Sequence, residues 1–495
     1  MIFDGDLLAE RARLTPDKIA IVAIETGERI SYFELNARAE RAAEAVIAAG
    51  VERGDRYGIL FHNCVDFLAL FFAAAKCGAI VVPLSTRATV HELDQVIADC
   101  SMRVLFHGPG FAELPSCQVA ELPEKGLPSC RVARLPETDV GNPATRQPGN
   151  PESPYCLLYT SGTTGKPKGV MIPKRQLYWN GYNTAVNWGL REDDVSPIYT
   201  PLYHAGGVAA FLIPIFTVGG TIVLHRGFDP AEVLHTIEHE RCTVILGVPT
   251  TLKMLMDAPE FATTDLSHVR WFISGGAPLP HYIIEAYQQR GVEMKQGYGM
   301  TEAGVNCFSM TVEDARRKAG SIGRPMMFTE VRVVDDDGND VAIGEVGEMW
   351  IRGPHVSLGY WNDPQATRAA FDDGGWLHTG DLARRDDEGF FYIAGRRKEM
   401  FISGGVNVYP AEIEAELVSH PRVADAAVIP IADETWGEVA VAFIVGDVSE
   451  DELSAYLASR IAKFKLPKRY LFVDALPRTP YGKVEKVKLA NTLSS

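Results

Sequence analysis

The 495-residue chain has few cysteines, no excess of positive charge and no basic segment at its amino terminus. Its eight cysteines form no Cys-x-x-Cys pair, so we expect reduced thiols rather than a disulfide framework. A formal net charge of −16 argues against a general nucleic-acid or anionic-membrane surface. The missing basic segment argues against a secretory signal, and we expect a cytoplasmic location.

An uninterrupted membrane-spanning run is also missing. Residues 205–224 carry no charge and are long enough to cross a bilayer. Pro214 and Gly219-Gly220 interrupt this run, and His204 and His225 flank it. We therefore predict a buried helix followed by a strand over residues 221–224, and no integral membrane segment.

A chain of this length exceeds one hydrophobic core and should contain at least two domains. Helical patterns alternate with short β-branched runs, which predicts an α/β fold with parallel sheets and flanking helices. A capping box at Ser31 and Glu34 starts a helix over 31–49. The predicted strands include 57–60, 80–82, 104–107, 244–246 and 271–273.

Two later regions depart from this alternation. Residues 328–393 are rich in short β segments and glycine turns, which predicts a small β subdomain. Beyond Gly395 a helix (410–420), a strand (424–430) and a second helix (451–465) predict a small α+β domain. We accordingly divide the chain into domains at 1–395 and 396–495. The proline-rich residues 108–154 are interpreted as a surface excursion.

The most informative segment, residues 160–168, reads Thr-Ser-Gly-Thr-Thr-Gly-Lys-Pro-Lys. Glycines let backbone N–H groups turn toward an anion, and the hydroxyls and two lysines add donors and charge. The apolar residues 155–159 before it predict a buried strand that leads into the loop. A polyphosphate is the expected ligand, and a plain polar turn is the alternative.

This loop is not a Walker A motif, because two residues rather than four separate Gly162 from Gly165, and Pro167 follows Lys166. Four further segments combine glycines with hydroxyl, acidic or basic residues. Each is a weak signal alone, since such turns are common. They are Ser274-Gly-Gly-Ala-Pro278, Gln296-Gly-Tyr-Gly-Met-Thr-Glu302, Trp376-Leu-His-Thr-Gly-Asp381 and Gly395-Arg-Arg-Lys-Glu-Met-Phe-Ile-Ser-Gly-Gly405.

In this order, from about Thr15 to Lys488, the segments closely resemble the adenylate-forming superfamily. The chain looks most like bacterial fatty-acyl-CoA synthetases, notably over residues 317–325. The resemblance implies a large N-terminal domain, a small mobile C-terminal domain, and ATP, Mg²⁺ and coenzyme A as cofactors. It implies that a carboxylate attacks the α-phosphate of ATP, and that CoA then displaces AMP to give a thioester. Positioning two mutually repelling anions would supply most of the catalysis.

The resemblance also implies roles for individual residues. Glu302 would bind Mg²⁺ with help from Thr160, and Thr301 would touch the α-phosphate. Asp381 would accept both ribose hydroxyls, and Arg396 would steady the ribose or phosphate. The remaining implied nucleotide contacts are Ser161, Gly162, Thr163, Thr164 and Lys168 at the phosphates, and Gly276, Ala277, Pro278, Gly297, Tyr298, Gly299 and Met300 around the adenylate.

Lys483 lies near the C-terminus, and the resemblance implies that it bridges the carboxylate and the α-phosphate as a compact positive charge. Lys398 occupies the implied hinge between the domains. Rotation there would withdraw Lys483 and bring in Gly404 and Gly405, which leave room for a pantetheine arm. The implied contacts for the CoA nucleotide are Trp436, Phe464 and Arg469.

The acid substrate is the least determined part of this assignment. His204 stands where the resembling family gates the carboxylate entrance, and where amino-acid-activating relatives have an Asp, so an α-amino acid is disfavoured. The small residues 205–208 suggest room for an apolar substrate, lined further by Phe211, Met300 and Ala303. A medium- or long-chain fatty acid is favoured, with a benzoate- or cinnamate-type aryl acid as the alternative.

Two other function classes stay open. The first is an adenylation enzyme that loads a carrier protein in place of CoA. The second is a non-catalytic nucleotide-binding protein, which the combined presence of Glu302, Asp381, Arg396 and Lys483 disfavours. The expected partner is a small-molecule carboxylic acid, no nucleic-acid partner is expected, and the resemblance is compatible with a homodimer.

Overall fold

A computed structural model describes residues 5–108, 111, 152–160, 167–277, 279–478 and 484–493. The predicted surface excursion and most of the phosphate loop lie outside these residues. As far as Leu224 the elements are α1 (Leu7–Leu14), β1 (Ile19–Ala23), β2 (Glu28–Ser31), α2 (Tyr32–Ala48), β3 (Arg56–Leu60), α3 (Val65–Cys77), β4 (Ile80–Pro83), α4 (Val90–Asp99), β5 (Val104–His107), β6 (Pro154–Thr160), β7 (Lys168–Pro173), α5 (Lys174–Trp188), β8 (Val195–Ile198), α6 (Ala205–Gly207), α7 (Ile213–Val218) and β9 (Thr221–Leu224).

The first sheet has the order β5-β3-β4-β6-β7 and is parallel except for the β6–β7 hairpin. Helix α2 begins where the sequence predicts, since Ser31 and Glu34 form its capping box; Thr89 and Glu92 form a second capping box, at α4. Helix α3 is apolar on nearly all sides, as is typical of a helix that is buried all round. It ends at Gly78, which has the left-handed conformation (φ 74°).

The chain continues with α8 (Pro230–His239), β10 (Val244–Gly247), α9 (Pro249–Asp257), β11 (Trp271–Ser274), α10 (His281–Gln289), β12 (Met294–Gln296), β13 (Phe308–Ser309), α11 (Val312–Arg317) and β14 (Arg324–Pro325), with 3-10 turns at Pro259–Ala262 and Thr301–Ala303. Strands β2-β1-β9-β8 lie beside the parallel strands β10-β11-β12. The N–H of Thr243 donates to the Val195 carbonyl (2.8 Å) where the two sets meet. We treat these strands together as the second sheet.

The uncharged run over 205–224 forms α6, a π-helical turn at Val208–Leu212, α7 and then β9. The predicted buried helix and strand are therefore confirmed. In the part of the chain that the structure describes, no helix is long and apolar enough to cross a membrane.

The predicted β subdomain is an antiparallel sheet made by β15 (Glu330–Val334), β16 (Gly347–Arg352), β17 (Leu377–Arg385) and β18 (Phe391–Arg396), with α12 (Pro364–Ala370) beside it. Register pairs Asp381 on β17 with Arg396 on β18. Two residues that the sequence separates are thus brought side by side at one end of this sheet.

The C-terminal region contains β19 (Phe401–Ser403), β20 (Val406–Val408), α13 (Pro410–Val418), β21 (Val423–Asp433), β22 (Gly437–Gly446), α14 (Glu450–Ala458), β23 (Arg469–Phe472) and α15 (Lys486–Leu493), with a 3-10 turn at Lys463–Lys465. The helix predicted over 451–465 was too long, since α14 ends at Ala458. Ile461 joins the core beside Leu453 and Leu457, and Pro467 disfavours a helical conformation at the residue before it.

Candidate active site

Glycine-rich turns leave the carboxyl ends of β11 and β12, which is where open α/β sheets bind ligands. The N–H of Gly297 donates to the Ser274 carbonyl (2.8 Å), and the N–H of Gly275 donates to the Gly247 carbonyl (3.2 Å). Gly276 has a left-handed backbone (φ +83°) that favours glycine. The two predicted turns, 274–278 and 296–302, are therefore held next to each other.

The second of these turns closes tightly on itself. The N–H of Val305 donates to the Met300 carbonyl (3.1 Å), and the N–H of Cys307 donates to the Tyr298 carbonyl (3.0 Å). A β-carbon at Gly299 would lie 2.9 Å from the Cα of Val305 and closer still to the carbonyl group of that residue. Gly299 is thus required for the turn to close. Val305 has φ +86°, which is rare for a β-branched residue.

Tyr298, Asp381 and Arg396 meet at one point. The hydroxyl of Tyr298 donates to Oδ2 of Asp381 (2.5 Å), and Nε of Arg396 lies 3.0 Å from Oδ1. Burial, and then the Asp381 carboxylate, raise the pKa of Tyr298 well above its usual value. The ring of Tyr298 packs edge-on against Phe308, with centroids 5.7 Å apart. Three of the predicted nucleotide residues thus form one polar cluster.

Glu302 is a buried carboxylate, only 6% exposed, directly after this turn. The hydroxyl of Tyr360 donates to its Oε1 (2.9 Å). Burial raises the pKa of Glu302, while hydrogen bonds from its own backbone N–H and from Tyr360 oppose the increase. The carbonyl of the adjacent Thr301 accepts a hydrogen bond from Nε2 of Gln176 (2.8 Å).

This arrangement fits a magnesium ion that is shared with a phosphate ligand. The described residues contain no cluster of three or more metal-ligating side chains. Mg²⁺ is commonly held by one or two carboxylates together with phosphate oxygens and water, and Oε2 of Glu302 offers one such oxygen.

The mouth of the predicted phosphate loop is the end of the β6–β7 hairpin, where Thr160 pairs with Lys168. Nζ of Lys168 lies 5.1 Å from the ring centroid of Tyr360. Strand β7 also holds the segment that carries Tyr360, since the N–H of Trp361 donates to the Gly169 carbonyl (2.8 Å). Tyr360 therefore links the loop to Glu302.

Sequence reasoning missed both Tyr360 and Gln176, and nothing in their spacing marks them. Ser161, Gly162, Thr163, Thr164, Pro278 and Lys483 lie outside the described residues, so their roles stay predictions.

The packing around His204 corrects the expectation that Gly207 makes room for the substrate. Nδ1 of His204 accepts a hydrogen bond from the N–H of Gly206 (3.1 Å) and so caps α6. A β-carbon at Gly207 would lie 2.8 Å from the Cα of Leu202 and closer still to the Pro201 carbonyl. The small size of Gly207 thus serves backbone packing rather than substrate space.

The other predicted lining residues differ in their surroundings. Ala303 is fully buried in the core of the β subdomain, so it does not line a pocket here. Met300 is half-buried beside that core. The ring of Phe211 lies 5.8 Å from that of Trp188 and 6.1 Å from that of Trp271. The rings of Phe211, Trp188 and Trp271 thus pack together as one aromatic cluster.

Two ion-pair groups flank Lys398. Arg397 is paired with Glu348 (2.7 Å) on the β subdomain, and Glu399 is paired with Lys486 (2.8 Å) in the C-terminal region. Burial, and then Arg396, lower the pKa of Lys398.

The predicted CoA contacts gather around the β19–β20 turn. The N–H of Gly404 donates to the Trp436 carbonyl (2.8 Å), and Nζ of Lys468 lies 5.6 Å from the Trp436 ring. No hydrogen bond or ion pair in the described residues joins Gly404, Gly405 or Trp436 to Asp381 or Glu302.

Comparison with known proteins agrees with this fold. Residues 8–361 match the family model of the AMP-binding enzyme, and residues 412–483 match that of the AMP-binding enzyme C-terminal domain. The chain is 39% identical to feruloyl-CoA synthase of Amycolatopsis sp, covering 97% of each chain. It is 38% identical to the long-chain-fatty-acid–CoA ligase FadD13 of Mycobacterium tuberculosis, covering 99% of this chain and 98% of the relative.

Among solved structures, o-succinylbenzoate CoA synthetase (MenE) from Bacillus subtilis, in complex with its acyl-adenylate intermediate, superposes with a TM-score of 0.86. The identity is 33%, and the alignment covers 98% of this chain and 97% of that one. The fold class is confirmed: a large N-terminal α/β domain and a small C-terminal domain. The chain belongs to the AMP-binding enzymes of the adenylate-forming superfamily. It is an acyl-CoA synthetase, an AMP-forming ligase that makes thioesters.

Proposed function

We propose that this enzyme uses ATP and coenzyme A to convert an apolar carboxylic acid into its CoA thioester through an acyl-AMP intermediate. The observation that carries the proposal is the meeting of Tyr298, Asp381 and Arg396 within hydrogen-bond distance, next to the turn that carries the buried Glu302. Together they offer a ribose acceptor, an aromatic surface and a cation-binding oxygen.

The nucleotide lies at the glycine turns. Asp381 accepts the ribose hydroxyls, for which an ionised carboxylate is suited because it only accepts hydrogen bonds. Arg396 orients this carboxylate through the 3.0 Å contact. The Tyr298 ring lies on one face of the adenine, with Gly276, Ala277 and Pro278 on the other. Gly297, Gly299 and Met300 complete the wall.

The triphosphate lies between the β6–β7 hairpin and Glu302. Lys168 and the loop residues Ser161, Gly162, Thr163 and Thr164 bind the β- and γ-phosphates. Glu302 and Thr160 would hold Mg²⁺, which supplies neutralising charge to the phosphate oxygens when bound. Tyr360 keeps the Glu302 carboxylate in place through its 2.9 Å hydrogen bond.

In the first half-reaction a carboxylate oxygen of the acid attacks the α-phosphorus. A new P–O bond forms as the bond to pyrophosphate breaks. His204 guides the acid into position. Thr301 and Lys483 bind the oxygens on which negative charge develops, and they thereby stabilise the transition state.

In the second half-reaction the CoA thiolate attacks the acyl carbon, a C–S bond forms, and AMP leaves with the electrons of the C–O bond. The C-terminal domain rotates about Lys398 between the two steps. Gly404 and Gly405 then line the path of the pantetheine arm, and Trp436 contacts the CoA nucleotide.

For the acid we propose a ring-bearing or short-chain substrate. We place Phe211 at the end of the acyl pocket, where its contacts with Trp188 and Trp271 would limit the length of the chain. A medium- or long-chain fatty acid is the second candidate, favoured by the 38% identity to FadD13. The chain is 39% identical to feruloyl-CoA synthase, so sequence identity favours neither the aryl acids nor the fatty acids.

The test is a panel of acids incubated with ATP and CoA, with AMP and thioester quantified by mass spectrometry. We expect cinnamate-type acids to exceed palmitate in kcat/KM. Thioester formation with none of the acids would contradict the ligase proposal, and a preference for palmitate would contradict only the short pocket.

Two variants refine the test. Phe211→Leu should raise kcat/KM for longer acids relative to cinnamate. Phe216→Leu is the matched control, because Phe216 is equally buried in the same run but stacks on Phe72, with centroids 5.7 Å apart. Identical selectivity of the two variants would argue against Phe211 as the residue that limits chain length.

A further inference from the structure

A cavity of about 600 Å³ opens on the side of the second sheet, away from the glycine turns. It lies between the end of α5, the edge strand β12, α11 and β14. Lys295 on β12 and Trp271 at the amino end of β11 line it, whereas the glycine turns leave the carboxyl ends of these strands. None of the residues proposed above to bind nucleotide or CoA lines it.

Lys295 is the unusual side chain of this cavity. It is 7% exposed, and no residue in the described part of the chain forms a hydrogen bond or ion pair with its ammonium group. Nζ lies 4.8 Å from the ring centroid of Trp271. Another buried lysine, Lys76, is paired with Asp6 (2.8 Å) and Asn36 (2.6 Å). A buried ammonium group usually needs partners of this kind, and Lys295 has none in the described residues.

The neighbouring acids are already engaged. Asp194 lies 2.7 Å from Arg270, and Asp314 lies 2.9 Å from Arg317. The remaining acid near the strand, Glu293, is paired with Arg316.

Because Arg270, Arg317 and Arg316 balance these three acids, the excess charge at the cavity is that of Lys295 and Arg324. Arg270 lines its inner wall, and Arg324, stacked 4.2 Å from the ring centroid of Phe390, lines its rim. Burial, and then Arg270, lower the pKa of Lys295 to about 8, as expected for an amine that has cations near it and no bound anion.

The rest of the lining is apolar or hydroxylated. Trp188, Trp271, Met310 and Pro325 supply apolar surface, and Ser309 supplies a hydroxyl group. A volume of about 600 Å³ is within the usual range for small-molecule sites, which combine apolar walls with a few polar groups.

We propose that this cavity binds a small aromatic acid, whose anionic group pairs with the ammonium of Lys295 and whose ring lies against Trp188 and Trp271. The site is separate from the proposed nucleotide and CoA sites, shares Trp188 and Trp271 with the region around Phe211, and would sense acids of the same chemical class as the proposed substrates. Charge and apolar surface both contribute, so an inorganic anion alone should bind more weakly.

The test uses benzenesulfonate, an aromatic anion that cannot form a thioester. The full-length enzyme is trace-labelled with acetic anhydride at rising benzenesulfonate concentrations, and the labelling of each lysine is read by peptide mass spectrometry. We expect labelling of Lys295 to fall at least tenfold with a saturating dependence, while labelling of Lys253 and Lys488 is unchanged. Unchanged labelling of Lys295, or a parallel fall at all three lysines, would overturn the proposal.

A second measurement follows the quenching of tryptophan fluorescence, since two tryptophans line the cavity. Lys295→Met should weaken benzenesulfonate binding at least tenfold, whereas Lys253→Met, which alters a half-buried lysine paired with Asp257, should not. Benzenesulfonate affinity in the unaltered enzyme should fall as pH rises through about 8. Equal affinity for benzenesulfonate and benzyl alcohol would contradict the role of Lys295, and equal affinity for sulfate would contradict the aromatic class.

Discussion

The turn that carries Tyr298 and Glu302 allows a sharp test at Gly299. A β-carbon there would lie 2.9 Å from the Cα of Val305, and its carbonyl group is nearer still. Carbon atoms in contact lie about 3.5–4.0 Å apart, so the backbone would have to move by at least about 1 Å. Misplacement of reacting groups by about 1 Å can lower a rate about 100-fold, and we expect Gly299→Ala to lower kcat/KM by that factor.

The assay is ATP-dependent thioester formation, accompanied by thermal unfolding to show that the variant is folded. Overpacking of this kind usually costs about 1–3 kcal/mol, which a chain of this size should tolerate. Gly227→Ala is the matched control, because a β-carbon at Gly227 meets nothing within 4 Å and its backbone is not left-handed. A folded Gly299→Ala variant with activity close to that of Gly227→Ala would refute the reasoning.

Three further substitutions test other parts of the site. Asp381→Asn should raise the KM for ATP by roughly tenfold to 100-fold, since hydrogen bonds to charged groups are worth about 1.5–3 kcal/mol; initial rates at varied ATP measure this. Tyr360→Phe removes a hydrogen bond that lowers the pKa of Glu302, so that pKa rises and the acid limb of the pH–rate profile should move to higher pH. Gly207→Ala should lower the melting temperature, because a β-carbon there would meet the backbone of Leu202 at 2.8 Å.

Each of these three substitutions has a matched control, which makes the same chemical change at a position outside the proposed contact. Asp340→Asn alters an exposed acid, and Tyr392→Phe alters a tyrosine whose hydroxyl lies 3.3 Å from Asp386. Gly206→Ala adds a methyl group 3.3 Å from the His204 ring, which can give way more easily than backbone. Equal effects of a variant and its control would show that the proposed contact is not the cause.

Local signals predicted much of the fold. The capping box at Ser31 and Glu34 starts α2 because its two hydrogen bonds involve residues only three apart. The breaks at Pro214 and Gly219 correctly separated a buried helix from a membrane span. The overlong helix after Asp451 shows the limit of such signals, since Leu453, Leu457 and Ile461 keep a helical spacing although α14 ends at Ala458.

The sequence patterns predicted individual residues of the site, but they did not predict which of these residues contact each other. The glycine and acid pattern marked Tyr298 and Asp381, yet the 2.5 Å hydrogen bond between them joins residues 83 apart. Tyr360 was missed because its importance arises from its position beside Glu302 and β7, which no spacing reveals. Gly207 was misinterpreted because a small residue can make room either for a ligand or for backbone, and only packing distinguishes the two.

The most direct test of the central claim follows the oxygen atoms of the acid. The enzyme is supplied with ATP, CoA and an accepted acid whose carboxylate carries a heavy oxygen isotope, and the released AMP is analysed by mass spectrometry. If the carboxylate attacks the α-phosphorus, one labelled oxygen passes to AMP when the thiolate cleaves the acyl–oxygen bond. Unlabelled AMP, with the displaced labelled oxygen in pyrophosphate, orthophosphate or water, would contradict an acyl-AMP intermediate.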